Sequence, residues 1–115
     1  GKSMADMQTV QMMLADMASD IDTSALAVYR AAWEKDVRGN TSSYGPSMAK
    51  LLGSEGAGRV VDKAVQLCGG AGVTHGTLVE RLYREARPMR IYEGASEVQK
   101  IIVGRAILKS LATVS

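Results

Sequence analysis

The residues best placed for chemistry lie in Arg90-Ile91-Tyr92-Glu93-Gly94-Ala95-Ser96-Glu97-Val98-Gln99. Pro88 ends the helical pattern before this stretch and an apolar-periodic run follows it. Glu93 is therefore expected on a short turn between two helices. A carboxylate there can point along a cleft, and Gly94 lets a ligand approach the backbone closely. The same residues also fit a plain helix N-terminus, with Ser96 as cap and Glu97 in an acidic first turn. On the segment alone both readings stay open.

Other chemistry-bearing groups are sparser. Gln66-Leu67-Cys68-Gly69-Gly70-Ala71-Gly72 ends a helical pattern in a glycine cluster, where Gly69 or Gly70 suits a left-handed C-cap. It is a poor dinucleotide-binding loop, because it follows a helix and His75 occupies the slot of the third glycine. Cys68 reads as a small buried apolar residue, with no basic partner at helical spacing. His75 reads as a solvated loop residue. One Cys and one His cannot build a zinc site within the chain. Arg81, Arg84 and Arg87 form a charged stripe, most simply a wet face.

The elements that must position these groups are helical throughout. From Met4 to about Lys35 there is no Pro or Gly, and Met7, Val10, Leu14, Met17, Ile21 and Val28 recur at steps of three and four. Ala25 and Ala32 fill neighbouring slots, and Met12 and Met13 mark a second buried face. Such a helix is about 45 Å long, so other helices must run beside it. Arg38 to Pro46 is a loop, with Ser47 as cap of a helix over 48–67. Gly53, Gly56 and Gly58 inside that helix point to close backbone packing or to a local break. Thr77-Leu78-Val79-Glu80 has the form of a capping box, opening a short helix with Val79, Leu82, Tyr83 and Ala86 on one face. The last helix, about 96–111, carries Val98, Ile101, Ile102, Leu108 and Leu111. No strand-period segment or repeat appears. The expected fold is an all-α, up-down bundle of three long helices and one short one, in a single domain over 1–115.

Composition bounds the function. The chain has 115 residues, 46% hydrophobic and 23% charged, which is ordinary globular make-up and excludes a disordered tail. A net charge of +2 without basic blocks argues against nucleic acid. A single Cys excludes an internal disulfide framework and fits a reducing compartment. No apolar run reaches the roughly 18 residues of a membrane span, and the opening residues lack the basic, apolar and small-residue pattern of a signal peptide. The expected location is cytoplasmic, or the mitochondrial matrix in a eukaryote.

Several motifs, in order, resemble one family. Gly-Lys-Ser-Met-Ala-Asp-Met-Gln-Thr-Val-Gln opens the chain, and Met48-Ala49-Lys50-Leu51 with Ser54-Glu55 follows. Gln66 to Gly72 and Val79-Glu80-Arg81-Leu82-Tyr83-Arg84-Glu85-Ala86-Arg87 come next, and Ile91 to Gln99 last. Together they resemble the C-terminal helical domain of the acyl-CoA dehydrogenases, across essentially the whole chain. The resemblance implies an FAD enzyme that oxidises an acyl-CoA thioester between its α and β carbons. Glu93 would be the base that removes the α-proton, and the Glu93 N–H would hydrogen-bond the thioester carbonyl. A dry, apolar setting strengthens such a base. Tyr92 and Gly94 would border the acyl chain. Gln8, Gln66, Leu67, Cys68, Gly69, Gly70, Ala95, Ser96 and Glu97 match FAD-contacting positions. The glycine loop would reach a neighbouring subunit's flavin, implying a homo-oligomer, and an electron-transfer flavoprotein would be the electron acceptor.

Three positions depart from the pattern. Ala95 stands where many members have Thr, Val73 replaces an aromatic, and Glu85 replaces Asp. The resemblance also leaves the family's N-terminal helical and β domains, and one preceding helix, outside this sequence. The isolated chain is accordingly expected to be inactive and to self-associate through an open groove. A catalytically silent helical association module is the alternative function.

Overall fold

The computed structural model describes residues 1 and 3–114. Among them are four α-helices and no strand: α1 Gln8–Asp36, α2 Tyr44–Cys68, α3 Leu78–Ala86 and α4 Ser96–Ala112. Short 3₁₀ turns lie at Met4–Asp6, Gly69–Val73 and Arg87–Arg90. The all-α architecture of three long helices and one short one is therefore as the periodicity predicts.

α1 and α2 form an antiparallel hairpin. Ser24 Oγ donates to Leu52 O at 3.1 Å, and Arg59 Nε and Nη2 clasp the Asp20 carboxylate. Farther along, Lys63 Nζ meets Asp16 at 2.8 Å. The half-buried positions of α1 are Val10, Met13, Met17, Asp20, Ser24, Ala25, Ala27, Ala31 and Glu34. This differs from the expected core stripe, since Leu14, Ile21 and Val28 stay about half exposed and Met12 more so. Val10, Met13 and Met17 face inward at the start of α1, and from Asp20 onward small and polar residues take the inner face, where they allow a closer approach of the two backbones. Gly56 shows why: a Cβ there would stand 2.7 Å from Ser24 Oγ. α2 is unbroken through its glycines, so close packing and not a break accounts for this one.

α2 begins earlier than expected, at Tyr44, with Pro46 in its first turn and Ser47 buried inside the helix. First-turn N–H groups have no intrahelical partner, so proline there removes nothing. α4 runs back along α2, from Glu55 toward the 40–43 loop, which makes α2 the central helix. Its buried face is Ser96, Gln99 and Val103, while Val98, Ile101, Leu108 and Leu111 point outward. Thr77 precedes α3 but does not cap it; its Oγ1 donates to Ala71 O and Thr74 O instead. A capping box forms at Ser3 and Asp6. Cys68, expected to be buried, is exposed at the C-terminus of α2.

The interior is thin. Ala49, Ala86 and Val103 are the buried apolar residues among those described. The radius of gyration is 17.7 Å, against about 13 Å for a compact domain of this length. Accessible surface is 8179 Å², where about 6,100 Å² is usual for this mass. Two outward apolar stripes, on α1 and α4, are part of that exposed surface.

Candidate functional site

The turn between the 3₁₀ segment Arg87–Arg90 and α4 carries Glu93. Locally it is closed by Pro88 O, which accepts from Ile91 N–H at 2.8 Å and Tyr92 N–H at 3.0 Å. The chain then turns through two left-handed residues, Glu93 at φ +54° and Gly94 at φ +88°. Among the described residues Glu93 alone of the non-glycines has positive φ. A side chain in that region clashes with its own carbonyl, so the conformation must be held from outside.

α2 supplies most of the hold. Glu55 Oε1 accepts from Arg90 Nε at 3.0 Å and from Ser96 Oγ at 2.6 Å, stapling both flanks of the turn to one carboxylate. Ser96 Oγ beside Glu55, with Arg90 next to it, holds its carboxyl below the usual range, although partial burial pushes the other way. Lys50 Nζ donates to Gly94 O at 2.6 Å, and Gln99 Nε2 donates to the same oxygen at 3.2 Å. A Cβ on Gly94 would overlap the Gln99 amide. Glu93 itself is exposed, and its N–H has no partner among the described residues. The turn thus presents a carboxylate and a free backbone donor side by side. That pair can take a proton from a carbon while hydrogen-bonding the adjacent carbonyl oxygen.

Tyr92 is exposed and Gly94 half-buried, one on either side of Glu93. Ala95 and Glu97 flank the start of α4, whose first N–H groups precede the helical ladder. Ser96 is 3% exposed and its hydroxyl is taken up by Glu55, which leaves its backbone as what it can offer a ligand. The remaining cofactor candidates lie elsewhere. Gln8 opens α1 and Gln66 lies in the last turn of α2, so both sit toward one end of the α1–α2 hairpin, beyond the Asp16–Lys63 pair. From Glu55 to Gln66 is three turns of α2, about 16 Å of rise. The structure therefore divides the candidates into two clusters.

The second cluster is largely open to solvent. Gln8, Gln66 and Cys68 are exposed and Leu67 is half-buried. Gly69 and Gly70 have no heavy atom within 4 Å of where a Cβ would stand, so bare backbone faces outward. Lys50, Glu55 and Arg90 all lie within motifs of the sequence, but no local pattern there marks a role for them. For Lys50 and Glu55 the available signal is a charge inside an apolar-striped helix. Of the three basic residues on α3 and its C-terminus, Arg84 pairs with Glu80 and Arg81 with Glu85.

Comparison with known proteins places this geometry in context. The family described as acyl-CoA dehydrogenase, C-terminal domain, matches residues 1–108. The short-chain specific acyl-CoA dehydrogenase, mitochondrial, of Sus scrofa is 40% identical over 110 residues, covering 96% of this chain and 27% of that protein. A solved structure described as the electron transferring flavoprotein of Acidaminococcus fermentans has a TM-score of 0.89 at 40% identity, covering 94% of this chain and 28% of its own. One described as the FAD complex of PigA has a TM-score of 0.87 at 32% identity, covering 93% and 28%. The chain spans little more than a quarter of the length of the relatives it matches.

Proposed function

The chain belongs to the acyl-CoA dehydrogenase family, matching its C-terminal domain, and from that premise we propose that it supplies the base for α,β-dehydrogenation of an acyl-CoA thioester. The observation that carries the reading is Glu93: an exposed carboxylate in a left-handed backbone, held there by side chains from two helices. Its carboxylate takes the α-proton. The Glu93 N–H donates to the thioester oxygen, where negative charge gathers as the proton leaves. The electron pair of the broken α C–H bond becomes the new double bond as the β-hydrogen departs. FAD, when bound, supplies the acceptor for that hydrogen and its electron pair.

Residues of the two clusters would hold that cofactor from different sides. Ala95, the Ser96 backbone and Glu97 border the flavin of the same subunit. Gln8, Gln66, Leu67, Cys68, Gly69 and Gly70 meet the flavin of a neighbouring one, as the separation along α2 supports. The outward apolar stripes on α1 and α4 support a homo-oligomer. An electron-transfer flavoprotein is the acceptor we assign to the whole enzyme, in keeping with the flavoprotein structure that this chain resembles. The 115-residue chain alone holds too little of either flavin to turn over.

Glu93→Gln, made in the flavin-loaded enzyme that carries this domain, tests the reading. Gln keeps size and polarity, and the backbone donor survives, so acyl-CoA and FAD binding should hold. Loss of a general base costs about 10²–10⁴-fold, and the upper end is expected because no other carboxylate sits on the turn. Single-turnover flavin reduction reads the effect. Reduction near the wild-type rate would remove Glu93 from the base role, whereas a helix-cap role predicts only a lower thermal midpoint.

A further inference from the structure

We infer that Lys50 is a positioning residue for Glu93, acting through the Gly94 carbonyl; this rests on Glu93 being the base. Lys50 is half-buried in the second turn of α2, and its ammonium forms no ion pair among the described residues. It donates at 2.6 Å to a single backbone oxygen, that of Gly94. Gln99, 7% exposed, donates to the same oxygen from α4. The carbonyl just after the reacting residue is therefore gripped from two elements at once, one of the donors charged.

The grip falls where the turn has most freedom. Glu55 fixes Arg90 before the turn and Ser96 after it, which leaves the Glu93–Gly94 unit between two anchored ends. Both residues there have left-handed backbones, and Glu93 bears a side chain that disfavours the conformation. Release of the Gly94 oxygen would let that unit rotate toward ordinary φ. Such a rotation moves the Glu93 carboxylate and the Glu93 N–H together, the two groups the reaction needs in register. Proton transfer tolerates little of this, since a misplacement of about 1 Å costs about 10²-fold.

The test is Lys50→Met in the flavin-loaded enzyme, with flavin reduction by acyl-CoA followed in single turnover and normalised to bound flavin. Unfolded molecules then drop out of the measurement. The expected result is a limiting rate lowered by about 10²-fold at unchanged substrate affinity. The isotope effect with α-deuterated substrate should rise, as proton removal becomes more fully rate-limiting; a merely structural role would not move it. Lys50→Arg, which keeps a charged donor, should recover most of the rate. A wild-type rate per flavin in Lys50→Met overturns the inference. Should that variant lose its flavin, Lys50→Arg and Lys50→Gln make the same comparison: a slowed Lys50→Gln beside a near-normal Lys50→Arg supports it, and equal rates overturn it. Glu93→Gln measured alongside keeps the two readings apart. An active Glu93→Gln enzyme sinks the base reading, whereas a silent one beside an active Lys50→Met sinks only the positioning.

Discussion

Two glycine-bearing turns close α2 and precede α4, and they are held in opposite ways. The Gly69–Val73 turn holds itself. Thr74 N–H and Thr77 Oγ1 donate to Ala71 O, Thr74 Oγ1 donates to Gly70 O at 2.8 Å, and Gly72 nestles on the Val65 backbone. The Glu93 turn is held from a distance, by Lys50 and Glu55 across more than thirty positions of sequence and by Gln99 from the next helix. Under the proposed function, a turn that offers only backbone to a ligand needs local closure alone. A turn that must aim a reacting side chain within a fraction of an ångström needs anchors on a rigid element.

The largest contrast between the turns should come from Gly94→Ala. At φ +88° any Cβ is strained, and this one also overlaps the Gln99 amide. The backbone term alone is about 1–2 kcal/mol, and displacement of Gln99 removes one of the two donors on the Gly94 oxygen. Denaturant midpoints should fall clearly, with flavin reduction falling in parallel. An unchanged midpoint would mean that the turn is free to relax, and the contrast between the two turns would collapse.

That contrast also marks what was readable in the sequence. The place of Glu93 on a turn, the glycine turn and the helix order are legible because proline, glycine and helical periodicity are local signals. The anchors were not, because nothing local pairs Lys50 with Gly94 or Glu55 with Ser96. The inner face of α1 was misassigned for a related reason. Leu14, Ile21 and Val28 form the more hydrophobic stripe, yet Asp20 and Ser24 face α2, because Arg59 and Leu52 O satisfy them there. Periodicity finds an apolar face; it does not say which partner covers it. The capping box failed at Thr77 because its hydroxyl found carbonyls in the preceding turn.

A smaller effect tests whether Glu55 anchors the turn by its charge. Hydrogen bonding from Ser96, and then from Arg90, lowers its folded-state pKa from an ordinary 4.5. A depressed carboxylate contributes stability above the unfolded pKa and loses it as pH falls through the folded value. Asp20, Glu34 and Glu80 are depressed too, so the whole domain weakens on acidification. The informative quantity is the difference between wild type and Glu55→Gln. It should be about 1 kcal/mol near neutral pH and shrink below pH 4.5. A gap that persists undiminished well into acid would show that shape, not charge, holds Arg90 and Ser96.

The smallest effect on stability, and the sharpest on function, is expected at Gly70. Its φ is not positive, and no heavy atom lies within 4 Å of an added Cβ. Gly70→Ala should therefore change fold stability by no more than about 0.5 kcal/mol. Gly69→Ala, at φ +56°, should cost more although its surroundings are just as open. If the turn's backbone meets a neighbouring subunit's flavin, the new methyl at position 70 stands between the two. Flavin retention in the oligomeric enzyme should then weaken by about tenfold, worth about 1.4 kcal/mol, at an unchanged midpoint for the domain. Flavin release after dilution, measured beside thermal unfolding, separates the two quantities. Wild-type retention in Gly70→Ala would leave the glycine turn as a helix stop and confine the cofactor contacts of this domain to the start of α4.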